Sequence, residues 1–248
     1  MRYETFRKIR KFFFRTYFKF YHRLEVIGLE NIPQGAAVIA LNHGGGFDLD
    51  IVAINLCHPT REIHVLIMDK YHYINSMWGR YWIAGGIPLW LGGGIRWQYI
   101  NPYLHKKGSQ YPGLVCMFPE GHSGLFQHRH VIHKFFPGVV RIALKYEVPI
   151  VPVTTAGFHK ISPILKEYKQ EHGPPDPILF PPFTLPFKLK IEFGEPFELD
   201  DYYNMKLSKK EEWWIANRII RPKVAKLRMK YMKVKLAKVD MEMKKPRI

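Results

Sequence analysis

The chain has 248 residues, enough for one large domain with a sizeable core or two small ones. Apolar residues make up 47% and charged residues 24%, a globular composition that excludes a disordered chain. Lys and Arg total 38 against 21 Asp and Glu, a net charge of +17, and two cysteines, Cys57 and Cys116, exclude a disulfide scaffold and a cysteine-based zinc site.

The positive charge sits at the two ends. Residues 1–23 carry a net +7, residues 221–248 a net +9, and the body between them a net +1. Two basic arms on a neutral body point to a polyanionic partner, not to a basic cleft. In the first arm, helical spacing places Phe6, Ile9, Phe13, Tyr17, Phe20 and Leu24 on one face and Lys8, Lys11, Arg15 and Lys19 on the other. So many aromatics fit an interfacial membrane helix better than a nucleic-acid arm. The alternative is a Phe stripe packed on its own domain, and a half-exposed helix satisfies both.

Further along, 24–29 and 36–41 read as strands, the second apolar throughout as for a strand covered on both faces. A helix is expected over 48–56, with Asp48 or Asp50 near its start, then a strand over 64–68. The run 81–95 holds five glycines and a proline in fifteen residues, too short and too glycine-rich for a spanning helix. No signal-peptide pattern is read, since charges interrupt the early apolar stretches. A buried strand over 114–118, a helix over 138–146, a strand over 149–153 and a strand with one wet face over 188–193 follow. Six prolines in 173–186 predict irregular structure there. After Pro222 the tail reads as a basic, solvated helix. The pattern is α/β: a mixed, largely parallel sheet flanked by helices, with an N-terminal amphipathic helix and a basic C-terminal helix. The expected divisions are 1–23 (membrane-facing helix), 24–205 (catalytic domain) and 206–248 (basic helical extension).

Two strand ends carry polar sets of the kind that α/β proteins use for chemistry. After AAVIAL comes LNHGGGFDLD, where His43 precedes Asp48 across three glycines. An imidazole takes a proton near neutral pH, and a carboxylate on its far nitrogen would fix its tautomer. Alone, the same spacing also describes a loop histidine and a helix cap. After LVCM comes FPEGHSG, a tight turn holding Glu120 and Gly121.

Together with the V-P-I-V-P-V stretch at 148–153 and IEFGEPFEL at 191–199, these blocks resemble the phospholipid/glycerol acyltransferase family, which includes the lysophosphatidic acid acyltransferases. The resemblance spans roughly residues 25–198. It implies transfer of a fatty acyl group from a thioester, acyl-CoA or acyl-ACP, to a hydroxyl of a glycerolipid or lysophospholipid. His43 would be the general base and Asp48 its orienting partner, Asp50 being read as a helix-start residue. Glu120 and Gly121 would shape the acceptor site. No cofactor or metal is implied, the thioester being a co-substrate.

The chain departs from the family where F-P-E-G is followed by His122 and Ser123 in place of Thr-Arg, and where the second motif lacks its arginine. An acceptor without a simple glycerol phosphate, or Arg96, Lys134 or His122 in the arginine's place, accounts for this. The histidines at 122, 128, 130 and 133 match no common zinc spacing. Trp78, Trp82 and Trp90 are read as core or acyl-tunnel lining. The expected partners are an anionic membrane surface, an acyl thioester and a lysolipid, and not nucleic acid. The expected location is peripheral, on the cytoplasmic face of a membrane. A phospholipid-to-lysophospholipid transacylase and a catalytically inactive membrane-binding module are the alternatives.

Overall fold

The structure is a computed structural model that describes residues 3–43, 49–61, 63–66, 94–95, 104, 113–121, 130–161, 164–168, 176–179 and 184–247. Its centre is a seven-stranded sheet. In chain order the strands are β1 (Glu25–Ile27), β2 (Ala37–Leu41), β3 (Ile63–Leu66), β4 (Gly94–Ile95), β5 (Leu114–Met117), β7 (Ile150–Ala156) and β10 (Lys190–Phe193). They lie in the order β1-β10-β7-β2-β5-β3-β4. The run from β7 to β4 is parallel, β10 is antiparallel to β7, and β1 is parallel to β10.

The central strand β2 is fully buried, and its side chains sort by period two. Ala37, Ile39 and Leu41 meet one apolar layer with α2 (Leu49–Cys57), and Val38 and Ala40 meet another with α3 (Gly138–Tyr146). Helices therefore cover both faces, which is why AVIAL carries no polar residue. Two small ribbons flank this sandwich: β8 (Ile164–Tyr168) with β9 (Asp176–Leu179), and β6 (Val131–Ile132) with β11 (Lys235–Leu236). The strand β9 lies inside the proline-rich stretch expected to be irregular. A two-stranded ribbon tolerates Pro177, because its strands have edges that need no ladder donor.

The N-terminal helix α1 (Tyr3–Thr16) continues through a π-turn to Tyr21. It packs Phe14 and Phe18 into the α2 layer, and Lys11 and Arg15 lie half-buried beside them. Arg15 donates to the carbonyls of Leu56 (3.1 Å), Pro59 (3.0 Å) and His58 at the end of α2. Of the face expected to be apolar, Ile9 is 55% exposed, Phe13 60% and Phe20 71%, with Phe12 beside them at 75%, while Tyr17 and Leu24 pack on the core. Arg15 turns inward because helix-end carbonyls accept its fork, and that rotates the aromatic face to solvent. The Phe6 side chain lies outside the described residues. Truncation of Phe18 to Ala should destabilise the fold by about 3–5 kcal/mol, measured by denaturant unfolding, because the ring fills the α1–α2 seam. Among the described residues no helix is long and apolar enough to cross a membrane.

Two expectations for the C-terminal half change. The expected wet face of β10 is wet only at its start: Lys190 is half-buried, while Glu192 is buried and accepts from Lys230 Nζ and Tyr231 Oη. Burial, then the Glu192 charge, holds the Tyr231 phenol above its ordinary range. The tail helix is shorter and less solvated than expected. A helical run starts at α5 (Lys209–Ile215), where Ser208 and Glu211 form a capping box. It passes through a π-segment, 216–220, and ends with α6 (Arg221–Met229). The π-segment directly precedes Pro222, whose missing N–H it accommodates. Beyond Met229 the chain is extended. Within the run, Val224, Ala225, Arg221 and Arg228 are buried against the sheet layer. Asn217 locks it in place by accepting from Phe135 N (2.8 Å) and donating to Phe135 O (2.9 Å).

Candidate active site

The chain leaves β2 toward α2 and β3 on one side, and leaves β5 toward α3 and β7 on the other. The crossovers diverge between β2 and β5, so a crevice opens beyond the carboxyl ends of those two strands. Both polar motifs sit there. Ala40 pairs with Met117 in the parallel ladder, so His43 and Glu120, each three residues further on, stand level at the same edge.

Asn42, buried, accepts from the Thr154 hydroxyl at 2.8 Å and ties the end of β2 to β7. The next residue, His43, stacks on the Phe118 ring at 4.1 Å between centroids, nearly parallel. Its Nδ1 lies 2.9 Å from Asp50 Oδ2. Asp50 is in the first turn of α2 and fully buried, and its Oδ1 accepts from Ile51 N at 3.0 Å. Asp50 is thus both the helix-start residue expected from sequence and the carboxylate on His43, the role expected of Asp48. Asp48 itself lies outside the described residues.

The second motif is a β-turn. Gly121 N donates to Phe118 O at 3.0 Å, with Pro119 in the second place and Gly121 in the fourth. Gly121 has φ +74°, and a Cβ there would come within 3.1 Å of the Phe136 ring, so conformation and space both require glycine. Glu120 is buried and accepts from His133 N at 2.8 Å, which fastens the turn to the segment after β6. Lys134 on that segment is exposed and lies over the rings of Phe136 (5.6 Å) and Trp213 (5.8 Å). Arg96, His122, Ser123 and the three tryptophans at 78, 82 and 90 lie outside the described residues.

Sequence reasoning missed four contributors. Asn42 and Thr154 pin the strand ends together. Arg221 and Arg228 come from α6: Arg228 donates to Thr155 O at 2.8 Å, and Arg221 to the carbonyls of Ile132 (2.5 Å) and Ala237 (2.8 Å). No local signal separates these two arginines from the other basic residues of the tail.

Burial works against a thiolate at either cysteine: it pushes the Cys57 thiol up to about 12 and the Cys116 thiol well above its ordinary value. Among the described residues no three His, Cys, Asp or Glu side chains gather as a metal site; His122 and His128 lie outside them.

The profile of the Acyltransferase family matches residues 23–156, more than half of the chain, and takes in both motifs. The chain belongs to the acyltransferase family. Its resemblance to the phospholipid and glycerol acyltransferases is thereby upheld. Six of the seven strands of the sheet and both motif blocks lie inside the match, and β10, α5 and α6 lie beyond it. Relatives include an uncharacterized protein of Mycobacterium leprae, 31% identical over 212 residues covering 77% of this chain and 55% of that protein. A second, from Mycobacterium bovis, is 32% identical over 218 residues, with 79% and 57% covered. The chain spans a little over half the length of these relatives. Its fold is similar to the crystal structure of the 1-acyl-sn-glycerophosphate (LPA) acyltransferase PlsC from Thermotoga maritima. The TM-score is 0.52 and the identity 17%, with 92% of this chain and 81% of that chain covered.

Proposed function

We propose that this acyltransferase-family chain works at a membrane surface, moving a fatty acyl group from a thioester on coenzyme A or acyl carrier protein to a hydroxyl of a glycerolipid or lysophospholipid. The observation that carries the reading is the His43–Asp50 pair, held at 2.9 Å at the strand end beside the F-P-E-G turn. With Nδ1 on Asp50, the imidazole takes the acceptor's hydroxyl proton at Nε2. The acceptor oxygen attacks the thioester carbonyl, the C–S bond breaks, and the departing thiolate receives that proton from the imidazolium. Asp50 favours the charged ring during transfer and fixes its tautomer. No enzyme nucleophile is needed, which agrees with two thiols kept protonated.

The likeness in fold to the Thermotoga LPA acyltransferase supports a glycerolipid acceptor. The aromatic outer face of α1, flanked by Lys8 and Lys19, supports a peripheral association with anionic lipid.

Purified protein would be mixed with anionic vesicles, labelled long-chain acyl-CoA and a panel of lysolipids with and without a headgroup phosphate. Acylated lipid that forms only when the thioester is present is the expected result. Product drawn from phospholipid without added thioester would replace this reading with a transacylase. No product from acyl-CoA, acyl-ACP or phospholipid would sink it.

A further inference from the structure

The helix α6 packs against β7, and Gly194 permits the close approach: a Cβ there would come within 2.8 Å of Leu227 Cδ1 and 3.2 Å of Pro152. Arg221 and Arg228, two helical turns apart on one face, are 3% and 4% exposed. Arg228 Nη1 donates to Thr155 O at 2.8 Å. Leu41 pairs with Val153, so Thr155 stands level with His43 at the same sheet edge. The Thr155 hydroxyl there is buried and has no hydrogen-bond partner among the described residues. A buried guanidinium is costly unless opposite charge surrounds it. Burial works against the Arg228 charge, and Glu120, then Asp50, favour it. These are the carboxylates of the two motif blocks. Arg221 also lies within reach of Glu120.

We propose that Arg228 is a positioning residue of the acyl-transfer site: a fixed cation from the C-terminal helix that offsets the Asp50 and Glu120 carboxylates and so keeps His43 neutral, able to accept a proton, near pH 7. The role rests on the reading of His43 as general base. Two buried carboxylates alone would hold the imidazole in its charged form, which cannot take the acceptor's proton. The cation cancels part of that field and leaves the direct His43–Asp50 bond to act once the proton moves. Among the described residues, the titratable groups around His43 are Asp50 of α2, Cys116 of β5, Glu120 of the turn, and Arg221 and Arg228 of α6. His133 adjoins Glu120, and His64 of β3 points to the opposite face of the sheet. The Cys116 thiol is uncharged, so only the carboxylates and arginines set the field. Both arginines lie outside residues 23–156 that the family profile matches, so the site is completed by a segment beyond the family core.

The first test needs no substrate: NMR titration of the His43 ring in the full chain, its signal assigned by loss in His43→Gln. Arg228→Gln keeps an amide donor for Thr155 O but removes the charge, and should raise the His43 midpoint by about half to one pH unit. Arg228→Lys keeps the charge and should leave it near wild type. Glu120→Gln should lower it, and this keeps the proposal testable if Arg228→Gln fails to fold. In acyl transfer from acyl-CoA to lysophosphatidic acid on anionic vesicles, Arg228→Gln should lower kcat about threefold at pH 7 and recover near pH 9, with acceptor KM unchanged. An unmoved midpoint in folded Arg228→Gln, or an equal rise in Arg228→Lys, would overturn the proposal. So would a rise in KM confined to phosphate-bearing acceptors, which would make Arg228 a substrate anion seat. If no transfer is detected at all, the functional reading fails and the titration still decides the role of Arg228.

Discussion

Asp50→Asn is expected to lower kcat for acyl transfer by about 10²–10⁴. The size of the loss follows from geometry: Asp50 Oδ2 lies 2.9 Å from His43 Nδ1. An Asn at position 50 can still accept from Ile51 N through its Oδ1, so α2 should keep its first turn. Its amide would instead present hydrogens to Nδ1 and favour the tautomer with Nε2 protonated, the wrong atom for a base. His43→Ala should fall in the same range as Asp50→Asn, and the double variant should be no worse than either single, because the pair acts as a unit. The measurement is initial rate at saturating acyl-CoA and acceptor, with thermal melts to confirm folding. A large loss in Asp48→Asn with a small one in Asp50→Asn would return the orienting role to Asp48.

The second large effect concerns α1. Changing Phe12, Phe13 and Phe20 together to Ser should weaken partition onto anionic vesicles by about 10²–10³, while the unfolding midpoint stays close to wild type. These rings are exposed, so their removal takes nothing from the core. Each would lose the apolar transfer gained on entering the headgroup boundary. Wild-type binding should also fall as salt rises from about 0.05 to 0.5 M, since Lys8 and Lys19 act through screened attraction. Co-sedimentation with vesicles at two salt concentrations measures both terms. Binding that survives the triple substitution would move the membrane contact elsewhere on the surface. Phe18→Ala should show the opposite signature, a loss of stability, because Phe18 is buried against α2.

Much of the core was legible from the chain itself. Continuous apolar runs marked β2 and β5 as buried strands, with β7 read as a further strand, and the structure places all three at the sheet centre. The F-P-E-G turn was legible for a local reason as well: Pro119 and Gly121 suit its second and fourth places, and Gly121 takes a left-handed φ. His43 and Glu120 could be named as neighbours because each follows a buried strand, although their common level depended on the register of β2 with β5.

What local pattern could not resolve were choices among equals. Helical spacing identified the aromatic face of α1 but not its direction. That was decided by Arg15, which finds the carbonyls at the end of α2, 41 to 44 residues away, and turns Phe14 and Phe18 inward. Two aspartates follow His43 closely, and the seating of α2 brings Asp50 to Nδ1. The tail reads as uniformly basic, yet Arg221 and Arg228 are buried at the site while Lys223, Lys226 and Lys230 face solvent. The sequence by itself determined the elements, because apolar periodicity and turn chemistry act over a few residues. Tertiary structure alone decided which charges meet at His43, because burial and pairing of charge depend on groups brought together from positions 43, 50, 120 and 228 of the chain.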